Sequence, residues 1–244
     1  DDVIQHDHES DTRIQYAPLG TLLAIMPWNF PYWQALRFAV PTLLAGNGVL
    51  IKPAGSVPGG ARLLDSCLAE ARAAVRADDA SIPDAPCHVA FIEVEALDSV
   101  IADARIAGVT LTGSDRAGRH VASVAGQHLK KVVLELGGSD PFIVLPDADI
   151  ALAATQAVAA RTVNSGQSCI AANRLYVQRG IWDAFLAAFT ARVAALRVGP
   201  GVEPGIDVGP LINPAAADDA LAHVADAQAR GARLVHGGRR RADL

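Results

Sequence analysis

The strongest constraint on this chain is an alternation. Short apolar runs closed by turn residues exchange with stretches of helical spacing. TLLAIMP (21–27) is a buried strand ended by proline. YWQALRFAVPTLLAG then has helical spacing, with Gly46 as a stop signal and Pro41 predicting a kink or a break. GVLIKP (48–53) is a second strand, VPGGARLLDSCLAEARAAV a helix, CHVAFIEV a third strand and ALDSVIADA a short helix. AGVTLTG (107–113) is a fourth strand, SDRAGRHVASVAGQ a helix capped by Ser114, and KKVVLELGG (130–138) a fifth strand. Such a rhythm predicts an α/β fold, a Rossmann-like mostly parallel sheet covered on both faces.

After Gly138 the rhythm restarts, which places a domain boundary there. PFIVL (141–145) and RLYVQ (174–178) read as strands, and DIALAATQAVAARTVNSG and IWDAFLAAFTARVAAL as helices. A glycine- and proline-rich loop, the helix AAADDALAHVADAQARG and a last strand, ARLVHGG, follow. Residues 1–138 form one expected domain and 139–244 a second. With 51% hydrophobic and 19% charged residues, 244 residues are enough for real cores.

A net charge of −5 predicts no general attraction to nucleic acid or anionic membrane. No run reaches the roughly 18 apolar residues of a membrane span. The arginines 239–241 read as a solvated turn. Cys67, Cys87 and Cys169 are too sparse for a disulfide framework or a metal site, which fits a reducing cytoplasm. His6 and His8 lie in a polar start, DDVIQHDHESD, that reads as a flexible or edge segment, and no metal is expected.

Parallel sheets bind ligands at the carboxyl ends of their strands, and the notable residues sit there. Asn29, in IMPWNFP, is held in a rigid aromatic turn. It is either a structural residue or an amide donor to a developing oxyanion. Lys52 either snorkels to water or reaches a ligand hydroxyl or phosphate. TGSDRAG (112–118) is either a capped turn or a phosphate site made of free backbone N–H groups at a helix start. Glu135 alternates with Leu134 and Leu136 on a strand expected to be central. It is either salt-bridged or a general base, and the two following glycines leave room for a ligand or a moving side chain. Cys169, closing NSGQSC, is either a small buried hydrophobe or a nucleophile. The usual dinucleotide fingerprint, GxGxxG, is absent.

PWNFP, IKPA, LTGSDRAG, LELGG and NSGQSC, in this order, resemble the aldehyde dehydrogenase superfamily from about Tyr16 to Gly238. The finer texture is similar to the bacterial succinate-semialdehyde dehydrogenase branch. The resemblance implies NAD(P)-dependent oxidation of an aldehyde, with Cys169 as nucleophile, Asn29 and the Cys169 N–H as oxyanion donors, and Glu135 activating water. It implies NAD or NADP held by Pro27, Trp28, Lys52, Gly113, Ser114, Gly118, Leu136 and Gly137. Arg37, on the helix behind Asn29, is the candidate for a substrate carboxylate. Its alternative is a helix-surface arginine. Gly55 replaces the glutamate that many NAD-preferring members carry after KPA, so the ribose 2′ position is less guarded against phosphate. Members of the family are about twice this long and form homo-oligomers. The chain therefore reads as a central portion, expected to continue into a Glu-x-Phe-Gly-Pro segment and to leave apolar edges in the second domain exposed. Competing expectations keep the chemistry on another short aliphatic aldehyde, or make the chain an inactive remnant that binds nucleotide.

Overall fold

The structure is a computed structural model that describes residues 2–6 and 11–241. The chain divides into two compact units, Asp1–Gly137 and Gly138–Leu244.

The first unit opens on an antiparallel hairpin, β1 (Asp2–His6) with β2 (Asp11–Ile14). The polar start expected as a flexible or edge segment is therefore paired on itself. His8 lies outside the described residues.

The core of this unit is a five-stranded parallel sheet. Its elements are β3 (Thr21–Ile25), α1 (Pro31–Leu44), β4 (Gly48–Lys52), α2 (Pro58–Asp78) and β5 (Cys87–Val89). They continue through a turn of 3-10 helix, α3 (Leu97–Ala102), β6 (Ile106–Thr112), α4 (Asp115–Gln127) and β7 (Lys131–Glu135). The strand order is β5-β4-β3-β6-β7. The chain winds outward from β3 in one direction, then returns to build on its other side. This is the doubly wound plan, with its switch point between β3 and β6.

Alternation along β3 assigns the two faces. Leu23 and Ile25 pack with Ile101, Val109, Val121 and Ala125. Ala24 and Met26 pack with Ala35, Ala39, Ile51 and Leu64. The first face is roofed by α3 and α4 and the second by α1 and α2, the period-two pattern of a strand buried on both sides. Leu23 is fully buried, so its truncation to alanine costs about 2–5 kcal/mol.

Three expectations need correction here. α1 runs through Pro41 without a break. Pro41 removes one helical hydrogen bond and crowds the Arg37 carbonyl, but the buried Ala35 and Ala39 still anchor the helix on the sheet. β5 stops at Val89: the Ala90 N–H makes the last ladder bond, to Ile51 O, and the Ile92 N–H then turns back to Ala90 O. Among the described residues β7 is an edge strand, not a central one.

The second unit holds β8 (Asp140–Val144), α5 (Ile150–Thr162), β9 (Ala172–Val177), α6 (Trp182–Ala194) and α7 (Pro214–Ala229). β8 and β9 form a two-stranded parallel sheet. Val144, Ala154, Ala157 and Phe185 make its small core, with Phe185 stacked on Phe189 at 5.8 Å. Asp149 caps α5 by accepting from the Leu152 N–H at 3.0 Å, which stabilises the helix by about 1 kcal/mol. Ile143, Leu145 and Tyr176 are exposed on these strands and at their ends. The strand expected at ARLVHGG does not form: residues 232–238 are irregular, and no strand among the described residues offers them a ladder. Nor does any helix among the described residues have the length and apolarity to cross a membrane.

Candidate active site

In the first unit, the predicted residues gather at the carboxyl ends of the sheet strands. β3 and β4 end in register, Ile25 opposite Lys52, and the Met26 N–H extends the ladder to Lys52 O. The chain then makes the Pro27-Trp28-Asn29 turn and enters α1 at Pro31, the position where a missing donor costs nothing. Asn29 is thereby half-buried at the end of β3. Lys52 is largely buried at the end of β4, and among the described residues no carboxylate lies within ion-pair distance of it.

β6 and β7 also end together, Thr112 opposite Glu135. The Gly113 N–H donates to Glu135 O at 3.0 Å, fixing the turn that starts α4. Ser114 caps that helix, its Oγ accepting from the Ala117 N–H at 3.3 Å. The capped turn is thus real, and it presents the positive end of a helix dipole beside the strand ends. Gly118 has a packing reason of its own: a Cβ there would lie 2.6 Å from Leu136 Cδ2. Gly113, Gly137 and Gly55 have no such constraint, and nothing lies within 4 Å of a Cβ placed on Gly55.

Glu135 is not buried between leucines. Its side chain is 49% exposed and receives a hydrogen bond from Arg37 Nη2 at 3.2 Å. Arg37 Nη1 donates to Gln34 Oε1 at 3.5 Å, and Gln34 itself is buried. These three residues, with Met26, Thr110 and Thr112, line a cleft of about 190 Å³. Of the two alternatives for Glu135, the salt bridge is present. Gln34 was not singled out from the sequence, although its three-residue spacing from Arg37 on a helix is a signal for contact.

A larger hollow of about 580 Å³ lies at the opposite end of the same sheet, where Thr21, Gly48 and Ile106 begin their strands. Size does not identify the site here. Doubly wound sheets place ligands at the carboxyl ends, where the polar groups converge.

In the second unit, NSGQSC is the most contorted segment. Expected as the tail of a helix, it leaves helical geometry at Val163. Asn164, Ser165 and Gly166 have φ of 49°, 58° and 78°. Left-handed backbone costs a non-glycine residue about 1–2 kcal/mol, so the turn needs braces. Ser165 Oγ donates to Gly209 O at 3.0 Å, Gln167 Nε2 donates to Asn164 O at 3.1 Å, and Gln167 Oε1 accepts from the Ile212 N–H at 2.8 Å. Cys169 follows, half-buried and outside any disulfide. The second glycine of LELGG belongs to this assembly. A Cβ on Gly138 would lie 2.8 Å from Cys169 O, so the room it leaves is filled by the cysteine's own backbone. Asn173 Nδ2 donates to Gly138 O at 3.0 Å and closes the arrangement.

The other two thiols differ. Cys67 is exposed. Cys87 lies in the core of the first unit, where burial first and the Asp65 carboxylate second push its thiol up to about 11. No metal-binding cluster of histidine, cysteine and acidic residues occurs among the described residues.

The model of the aldehyde dehydrogenase family matches residues 1–244. The chain belongs to the aldehyde dehydrogenase family. An aldehyde dehydrogenase relative, a succinate-semialdehyde dehydrogenase [NADP(+)] of Mycobacterium tuberculosis, is 46% identical over 226 residues, covering 93% of this chain and 48% of the relative. Succinic semialdehyde dehydrogenase from Streptococcus pyogenes, solved in complex with NADP+, superimposes with a TM-score of 0.85 at 34% identity, over 93% of this chain and 48% of that one. Lactaldehyde dehydrogenase from Escherichia coli gives 0.83 at 34% identity, over 98% and 49%. The chain thus spans about half the length of the aldehyde dehydrogenases it matches. Its parallel sheet is the Rossmann-like sheet of that family.

Proposed function

We propose that the protein to which these residues belong oxidises a short aldehyde bearing a carboxylate, succinate semialdehyde to succinate, with NADP as the preferred acceptor. Residues 1–138 serve as the cofactor domain and 139–244 as the start of the catalytic domain. The observation that carries this reading is the convergence of Asn29, Lys52, Ser114 and Glu135 on the carboxyl ends of one doubly wound sheet. Lys52 suits a ribose or phosphate oxygen, and the α4 amino terminus at Gly113 and Ser114 suits a pyrophosphate. Pro27, Trp28, Leu136 and Gly137 complete the rim, while Gly118 contributes by packing. The open, uncharged Gly55 leaves a 2′-phosphate unopposed, consistent with the NADP-dependent relatives.

The chemistry divides into two steps. The Cys169 thiolate adds to the aldehyde carbon, and the carbonyl electron pair moves to oxygen, where the Asn29 amide and the Cys169 N–H stabilise it. Collapse of that oxyanion would expel hydride, for which a nicotinamide, when bound, would supply the acceptor, and would leave an acyl thioester on Cys169. Water then attacks the thioester. Glu135 takes its proton, the thiolate leaves, and the acid departs with Cys169 restored. Arg37 receives the substrate's distal carboxylate through its guanidinium fork.

Steady-state kinetics of the complete natural protein test this reading. Succinate semialdehyde should be oxidised with NADP, Cys169→Ala should abolish turnover, and Arg37→Ala should lower kcat/KM for succinate semialdehyde while sparing kcat/KM for butanal. Equal losses of kcat/KM for both aldehydes would remove Arg37 from substrate binding. Preference for a neutral aldehyde would move the substrate to another short aliphatic compound.

A further inference from the structure

The proposed reaction asks two things of a pair that the structure shows bound to each other. Glu135 must accept a proton from water, yet its carboxylate is occupied by Arg37 Nη2. Arg37 must offer its fork to a substrate carboxylate, yet Nη2 is given to Glu135 and Nη1 to Gln34. Gln34 is buried on α1, and its Oε1 accepts from Nη1 at 3.5 Å on the side of the guanidinium away from Glu135 Oε1. Glu135 and a substrate carboxylate therefore compete for the same guanidinium, on its Nη2 side. Both side chains of the pair are about half exposed. An ion pair in that setting is weak enough for a second carboxylate to exchange into it.

We infer that Arg37 is a positioning residue for Glu135. Without a carboxylated substrate it holds the base on the cleft formed with Gln34 and Thr112. A substrate carboxylate takes Nη2, and Glu135 is released to activate water. The inference rests on the roles proposed above for Glu135 and Arg37. It makes thioester hydrolysis, not thioester formation, the step that discriminates between aldehydes. A neutral aldehyde acylates Cys169 and then waits, because nothing displaces the base.

The test uses the unsubstituted complete protein with butanal and NADP. Rapid mixing should show a burst of NADPH followed by a slower steady rate. Replacing chloride by acetate at constant ionic strength should raise that steady rate about two- to fivefold, the range that release from a partly exposed ion pair allows. Arg37→Met should show the faster rate without acetate and no further response to it. The inference is overturned by butanal turnover with no burst, by a steady rate that acetate leaves unchanged or lowers, or by an equal acetate response in Arg37→Met. Absence of any aldehyde-dependent NADPH formation is a different failure. It refutes the proposed reaction itself and is seen before acetate is added.

Discussion

Gly138 and Cys169 are in backbone contact: a Cβ on the glycine would stand 2.8 Å from the cysteine carbonyl oxygen. No side-chain rotation relieves this, because the opposing atom is main chain. Gly138→Ala should therefore displace the Cys169 turn, lowering kcat by about tenfold or more and stability by about 1–3 kcal/mol. Gly137→Ala is the control. Its Cβ meets Asp115 Oδ1 at an ordinary 3.8 Å, and its stability should stay within about 0.5 kcal/mol of the parent. Thermal unfolding and kinetics of the two variants check the pair.

Gly118 poses a question that a double substitution answers. If it serves mainly to let α4 approach β7, Gly118→Ala should destabilise by about 1–3 kcal/mol, and Leu136→Ala in the same chain should recover part of that loss. Denaturant unfolding of the single and double variants measures the coupling. Strict additivity would show that the close Leu136 contact is not the reason for glycine.

Cofactor choice should respond to Gly55. A carboxylate in that open position would face the 2′-phosphate of NADP with a like charge. Gly55→Glu should weaken NADP binding by at least about tenfold, and NAD binding should change little or improve. Calorimetric titration with NADP, NAD and 2′,5′-ADP reports this independently of turnover.

Cys87 links stability to pH. Its thiol is raised in the folded protein from 9.0 to about 11, so the folded state holds that proton where the unfolded state has lost it. The stabilisation is complete below pH 9 and is lost as pH climbs from about 9 to about 11. The melting temperature should fall across this window, and Cys87→Ala should flatten that part of the profile. Iodoacetamide near pH 8 should spare Cys87 and label the exposed Cys67.

Much of the first unit was legible because its strands are buried on both faces. Continuous runs such as TLLAI and AGVTLT cannot be hidden otherwise, and helical spacing with a cap at Ser114 marked what lay between them. What escaped was decided by non-local partners. Nothing in KVVLE says that β7 stands at the edge, and that edge position is why Glu135 meets Arg37 and solvent rather than a leucine-lined interior. ARLVHGG has the composition of a strand and, among the described residues, no strand to pair with. The helix expected to run into NSG ends at Thr162, because Asn164 and Ser165 turn left-handed at a cost that contacts with the distant Gly209 and Ile212 help to offset. The second glycine of LELGG does mark a need for space, but its occupant is the chain's own backbone.

The registered strand ends also make a ruler. Lys52, Thr112 and Glu135 close neighbouring ladders on β4, β6 and β7, with Asn29 rising from the turn just after β3. Thr112 and Glu135 stand one strand spacing of about 4.8 Å apart, and Lys52 is level with Leu111, one residue short of Thr112 and two strands away; main-chain hydrogen bonds that no side chain supplies fix this register. Substitution in either core can change how firmly the sheet holds without moving the marks on the scale. Over evolutionary time the interior is free to drift in its leucines and valines while the chemistry stays in gauge. A single-residue insertion or deletion inside a strand is the change that this geometry cannot absorb.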